Sequence, residues 1–164
     1  MDLQILQDKL NELENELKEI RTKLEEAEKK ESGRWKPKFN DKYWYIDNIL
    51  SVSVSNWDDC QVDRTRYAIY NCFASKAEAE FEVERLKVLA EMREFEESPD
   101  MEWDCRNFHY YIFYNTRTNN IGINSMTIGK DYNIFFESEE KAEECIEKVG
   151  ADRIKKYYLR VEEE

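Results

Sequence analysis

An acid, a thiol and an imidazole fall within six positions at Asp104, Cys105 and His109. Such a trio could serve a cysteine nucleophile, which needs a base within hydrogen-bond reach and donors for the oxyanion that develops. Here the segment runs into an extended aromatic stretch that would hold Cys105 and His109 too far apart to share a proton, and no oxyanion-stabilising loop accompanies them. His109 is the only histidine, so a two-histidine metal site cannot be built within one chain. A Ser-His-Asp triad would rest on the same residue. The four cysteines, Cys60, Cys72, Cys105 and Cys145, form no C-x-x-C pair, which removes the usual zinc and redox spacings and leaves reduced thiols. Four glycines provide no phosphate-cradling loop, and no EF-hand order runs through the carboxylates. The expectation is a protein that is not an enzyme and uses no cofactor or metal.

Charge narrows the partners. With 37 acidic against 25 basic residues the formal charge is −12, and a phosphate backbone would meet net repulsion. Tyr43, Trp44, Tyr45, Tyr110, Tyr111 and Tyr114 resemble a base-stacking platform, but the basic groove that should accompany one is missing; core and cross-strand packing accounts for them. Direct nucleic-acid binding is not expected. No apolar run approaches the roughly 20 residues that span a bilayer, and the start lacks a basic-then-apolar secretory pattern. The expected setting is cytoplasmic, with no membrane partner.

The elements that organise the chain begin with a heptad. Leu3, Leu6, Leu10, Leu13, Leu17, Ile20, Leu24 and Ala27 alternate steps of three and four. With Leu3 at a, the g positions Lys9, Glu16 and Lys23 meet the e positions Glu14, Arg21 and Glu28 of a parallel neighbour, opposite charges each time. A helix folded back on its own body would also want an apolar stripe, but it gives no reason for matched e and g charges. Residues 1–31 therefore read as a coiled-coil oligomerisation helix, with a parallel homodimer preferred. Ser32-Gly33 stops it, Lys36-Pro37 is extended, and the body begins near Arg34.

The body carries an echo. FASKAEAEFEVERL from Phe73 returns as FESEEKAEECIEKV from Phe136, with Phe, Ser, Ala, Glu and Glu coincident. Upstream, YWYI at Tyr43 matches YYIF at Tyr110, and Trp35 matches Trp103. Each copy opens on an aromatic strand, Lys42–Asp47 or Phe108–Asn115. A second strand follows, Ile49–Val54 or Ile121–Ile128, then a short aromatic segment and a helix introduced by Ser75 or Ser138. The expected fold is α+β: a leading coiled-coil helix, then two antiparallel β-β-(β)-α repeats over 34–98 and 103–161.

The helix expected over 77–96 has two apolar sides, Ala79, Val83, Leu86, Leu89 and Ala90 on one, Phe81, Val88, Met92 and Phe95 nearly opposite. The second side needs a neighbour, either the other copy's helix, the coiled coil or an external partner, for which Phe81 and Met92 are the candidate anchors. Between the two lie Glu80, Glu84, Glu91 and Glu94. A solvated flank is the plain account of them; the sharper one is a row of carboxylates occupying the phosphate site of a nucleic-acid-binding protein. Asp58, Asp59 and Asp63 in a long loop, and Asp100, Glu102 and Asp104 between the copies, would extend that surface.

RWKPKFNDKYWYID, YAIYNCFASKAEAEFEVERLKVLAEMREF and IFFESEEKAEECIEKVGADRIKKYYL together resemble small accessory proteins encoded by phages and prophages of Gram-positive bacteria. Many of these carry an acidic coiled-coil start and one or two aromatic β-β-α units. The resemblance covers most of the chain and implies a genomic setting, with no catalytic residues to carry over. Such accessory genes are similar in context to inhibitors of host defence, anti-CRISPR proteins among them; with the acidic balance and the absence of catalytic motifs, the expected function is non-enzymatic inhibition of a host nuclease or other defence protein in the bacterial cytoplasm. The alternative is a structural or regulatory adaptor of phage machinery.

Overall fold

The structure is a computed structural model that describes residues 7, 9–11, 13–20, 34–128 and 133–161. Residues 13–20 are α-helical. The body then runs β1 (Lys42–Ile46), β2 (Val52–Asn56), α1 (Gln61–Ala68), α2 (Lys76–Arg93), β3 (His109–Asn115), β4 (Asn120–Met126), β5 (Phe135–Phe136) and α3 (Glu139–Val149). A three-residue turn of helix, Ala151–Arg153, leads into a π-helical turn, Ile154–Tyr158. The fold is α+β. Among the described residues one compact unit gathers those up to 44 with 54–74, and a second gathers 45–53 with 75 onward. The sequence places a division after residue 98; in the structure α2 packs with the second unit.

In the first unit, Tyr43, Trp57 and Cys72 are buried. Tyr43 and Tyr67 both meet Trp57 edge-on, with centroids 5.9 and 6.1 Å away. Trp44 and Phe73 exchange backbone hydrogen bonds of 3.0 and 2.9 Å, so the phenylalanine that opens the echo returns to the first strand. Helix α1 stands where the sequence suggested a long loop. No side chain caps its start. Tertiary bonds supply what local propensity does not: buried Asp63 in its first turn accepts from the Asp58 N–H at 2.9 Å and the Tyr43 hydroxyl at 2.5 Å.

The β1–β2 connection also differs from expectation. Asp47 Oδ1 accepts from the N–H groups of Ile49 and Ser51 at 3.0 and 2.9 Å, an Asx-type turn that delays β2 to Val52. Leu50 sits at φ +59°, where an extended strand cannot run.

The second unit is built on a three-stranded antiparallel sheet in the order β4-β3-β5. Alternation along β3 puts Ile112 inward, 1% exposed, in a core with Val88, Met92, Ile134, Phe136, Ala142, Cys145, Val149 and Ile154. Phe136 pairs with Tyr110 on β3, much as Phe73 meets Trp44. Both long helices start on a serine whose hydroxyl accepts a backbone N–H at 3.2 Å, from Glu78 to Ser75 and from Lys141 to Ser138. On one side of α2 Ala79 and Val83 are buried while Leu86 and Ala90 stay exposed; on the other Val88 and Met92 are buried. The neighbour that the second side required is supplied within the chain by β3, β5 and α3, and by Tyr157, whose ring lies 5.1 Å from that of Phe81.

Candidate interaction surfaces

Of the seven heptad residues assigned to oligomerisation, Leu3, Leu6 and Leu24 lie outside the described residues. Leu10, Leu13, Leu17 and Ile20 are 52%, 59%, 52% and 61% exposed. Four large aliphatic side chains that recur at steps of three and four and all face water leave an apolar stripe that folding does not bury. Lys9, Glu14 and Glu16 flank the stripe and are exposed.

The acidic flank of α2 is different. Lys76 pairs with Glu80 at 3.0 Å, Lys87 with Glu84 at 2.6 Å, and Arg153 grips Glu91 through two bonds of 2.6 and 2.8 Å. The Arg153 guanidinium holds the Glu91 carboxyl below its usual range, while Glu91 raises Arg153. Three of the four glutamates singled out in sequence thus already hold a cation; Glu94 closes the helix as its C-cap. Met92 is fully buried, so it belongs to the core and offers no anchor to a partner. Phe81 is half-buried against Tyr157.

Asp58 and Asp59 are exposed in the turn before α1. Arg64 bonds both oxygens of Asp59, at 3.1 and 2.8 Å, and holds its carboxyl below the usual range. Asp58 Oδ1 accepts from the Cys60 N–H at 3.0 Å. Donor atoms of Asp58, Cys60 and Asp63 lie within 4.8 Å of one another, but both Asp63 oxygens are engaged by Tyr43 and Asp58. Burial pushes the Asp63 carboxyl up, and the donors from Tyr43 and Asp58 outweigh it, so the net direction is down. These bonds make the trio a fastening for α1.

The trio Asp104, Cys105 and His109 is not assembled for nucleophilic catalysis. Cys105 is exposed, and His109 is fully buried with Nδ1 between the two oxygens of Glu97 at 2.9 and 2.8 Å. Asp104 instead accepts from Arg106 and Asn107. Neither Glu97 nor Arg153 was singled out from sequence. Arg153 reaches across 62 positions to Glu91, and no local pattern announces such a pair.

No family model matches the chain, and no curated protein or solved structure does. Among the described residues no helix is long and apolar enough to cross a membrane.

Proposed function

We propose that the chain acts without catalysis, as a protein-binding protein presented as a parallel homodimer through its leading helix. The observation that carries this reading is the exposure of Leu10, Leu13, Leu17 and Ile20 on one heptad stripe. Lys9 and Glu14, and Glu16 with Arg21, supply opposite charges across a parallel seam, which selects a second copy as the occupant. Two bodies held together in this way engage a partner with higher avidity and no new contact.

The partner class is a nucleic-acid-handling protein, in keeping with the resemblance to phage accessory proteins, and the inhibited host defence nuclease is its leading form. If every lysine and arginine were paired, the surplus of 37 acidic over 25 basic residues would still leave carboxylates for a phosphate-binding surface. A second reading, an adaptor of phage machinery, is favoured by the pairing of Glu80, Glu84 and Glu91 within the protein, which lowers the charge that flank can offer. In the adaptor the coiled coil is the working surface.

Sedimentation of wild type and L13D/L17D tests the dimer, and a nuclease-treated affinity capture tests the partner. A captured nuclease that duplex DNA displaces, and that E80K/E84K/E91K/E94K fails to hold, supports the inhibitor. Capture of phage structural or replication proteins that depends on Leu13 and Leu17 supports the adaptor. A monomeric wild type overturns both readings.

A further inference from the structure

In a chain where 38% of residues are charged, Asn48–Trp57 and Thr118–Gly129 carry no charge at all. The first contains β2 and the second contains β4, the end strand of the order β4-β3-β5. An end strand presents a row of unpaired N–H and C=O groups, and proteins ordinarily blunt it with lysine, proline or a bulge. Strand β4 has neither charge nor proline, and it pairs with β3 over all seven of its residues without interruption. Among the described residues no strand lies on its outer side. Its far end is partly closed where Asn124 Oδ1 accepts the Ser125 N–H at 2.9 Å. The open stretch is Asn120–Asn124.

That stretch reads Asn-Ile-Gly-Ile-Asn, the same in both directions about Gly122. We propose that β4 pairs antiparallel with β4 of a second copy about a two-fold axis at Gly122, joining two three-stranded sheets into one. A two-fold contact requires that residue i meet j while j meets i. Here Asn120 faces Asn124 of the second copy, Ile121 faces Ile123, and each match is like with like. The pleat agrees with this register. Ile121 and Ile123 stand opposite Tyr114 and Ile112 on the core side and are only partly buried, so their pairing continues the core across the axis. Gly122 lies on the other face, where a Cβ would come within 3.0 Å of the Phe113 ring. Electrostatics favours the same place: two copies of charge −12 repel, and an uncharged edge is where they meet at least cost.

The test uses full-length L13D/L17D, which removes the leading helix as a cause of association, in sedimentation velocity over a concentration series. The expected result is a species heavier than the 19.9 kDa monomer. Adding N120K/N124K sets like charges opposite each other at both ends of the contact and should return the monomer. Adding N120K/N124E sets opposite charges there and should retain or strengthen association. Both positions are exposed, and both variants lose the same bond from Asn124 Nδ2 to the Tyr111 hydroxyl, so each is the other's folding control. A monomeric L13D/L17D at every concentration, or indistinguishable behaviour of the two charge variants, overturns the proposal. Equal mass of wild type and L13D/L17D, both heavier than the monomer, would instead count against the leading helix and leave the β4 contact standing.

Discussion

The indole of Trp103 lies flat on the imidazole of His109, with centroids 3.6 Å apart and planes 3° from parallel. Phe135 closes edge-on against the indole at 4.8 Å, and the Glu97 N–H donates to the Phe135 carbonyl at 2.8 Å. The irregular segment between α2 and β3 is thereby pinned to the sheet by a carboxylate, an imidazole and an indole. His109 Nε2 is buried without a partner among the described residues, so the imidazole is held by Glu97 and by stacking alone.

H109F should keep the stack but leave the Glu97 carboxylate, 7% exposed, without its partner. Leaving a buried acceptor without its hydrogen-bond donor costs about 1–3 kcal/mol. H109F/E97L removes both partners and should recover most of that loss. Urea unfolding followed by tryptophan emission measures both. Equal stability of the two variants would show that the pair is not a coupled one.

The sequence makes the second unit more legible than the first, for identifiable reasons. Strand β3 is readable because a run of bulky rings, Tyr110, Tyr111, Phe113 and Tyr114 about Ile112, suits a half-buried pleat, and α2 because Ser75 caps a long run with two apolar sides. Helix α1 is not, because its start lacks a capping side chain and depends on Asp63 meeting Tyr43, 20 positions away. Glu80, Glu84 and Glu91 lie on α2, but the pairing of Glu91 with Arg153 is a tertiary fact. Sequence periodicity shows that Met92 faces something; only packing shows that the neighbour is the chain itself.

The Glu91–Arg153 pair makes a pH prediction. The folded Glu91 carboxyl titrates below its ordinary value of 4.5 because Arg153 bonds it, so folding is favoured where the unfolded carboxyl is ionised. The stabilisation is complete above about pH 4.5 and is lost as pH falls through the lower folded value. Both side chains are more than a third exposed, so solvent screening limits the contribution to about 0.5 kcal/mol. The stability difference between wild type and E91Q should be flat from neutral pH to about 5 and shrink below it. A difference that grew on acidification would contradict the pairing.

Tyr43 tests the fastening of α1. Its hydroxyl donates to Asp63 and accepts from Arg66 Nη1 at 2.8 Å, and burial followed by Asp63 raises it above the usual phenol range. Y43F removes a donor from a buried carboxylate and should cost about 1–3 kcal/mol. Amide exchange read by mass spectrometry should show the loss in Gln61–Ala68. Unchanged protection of that helix would mean that Asp63 holds α1 through the Asp58 N–H alone.

Thiol labelling follows both units at once. Burial pushes Cys72 and Cys145 up to about 11, whereas Cys60 and Cys105 lie exposed. At pH 8 only on the order of one in a thousand of the buried thiols is ionised, and the reagent cannot reach them without an opening of the fold. Native protein treated with excess iodoacetamide should therefore modify Cys60 and Cys105 first. Cys72 and Cys145 should follow at rates set by the opening of the unit that holds each. Y43F, by loosening the first unit, should hasten Cys72. Peptide mapping over time resolves the four sites. Simultaneous labelling of all four would place Cys72 and Cys145 at the surface and contradict the packing of both cores.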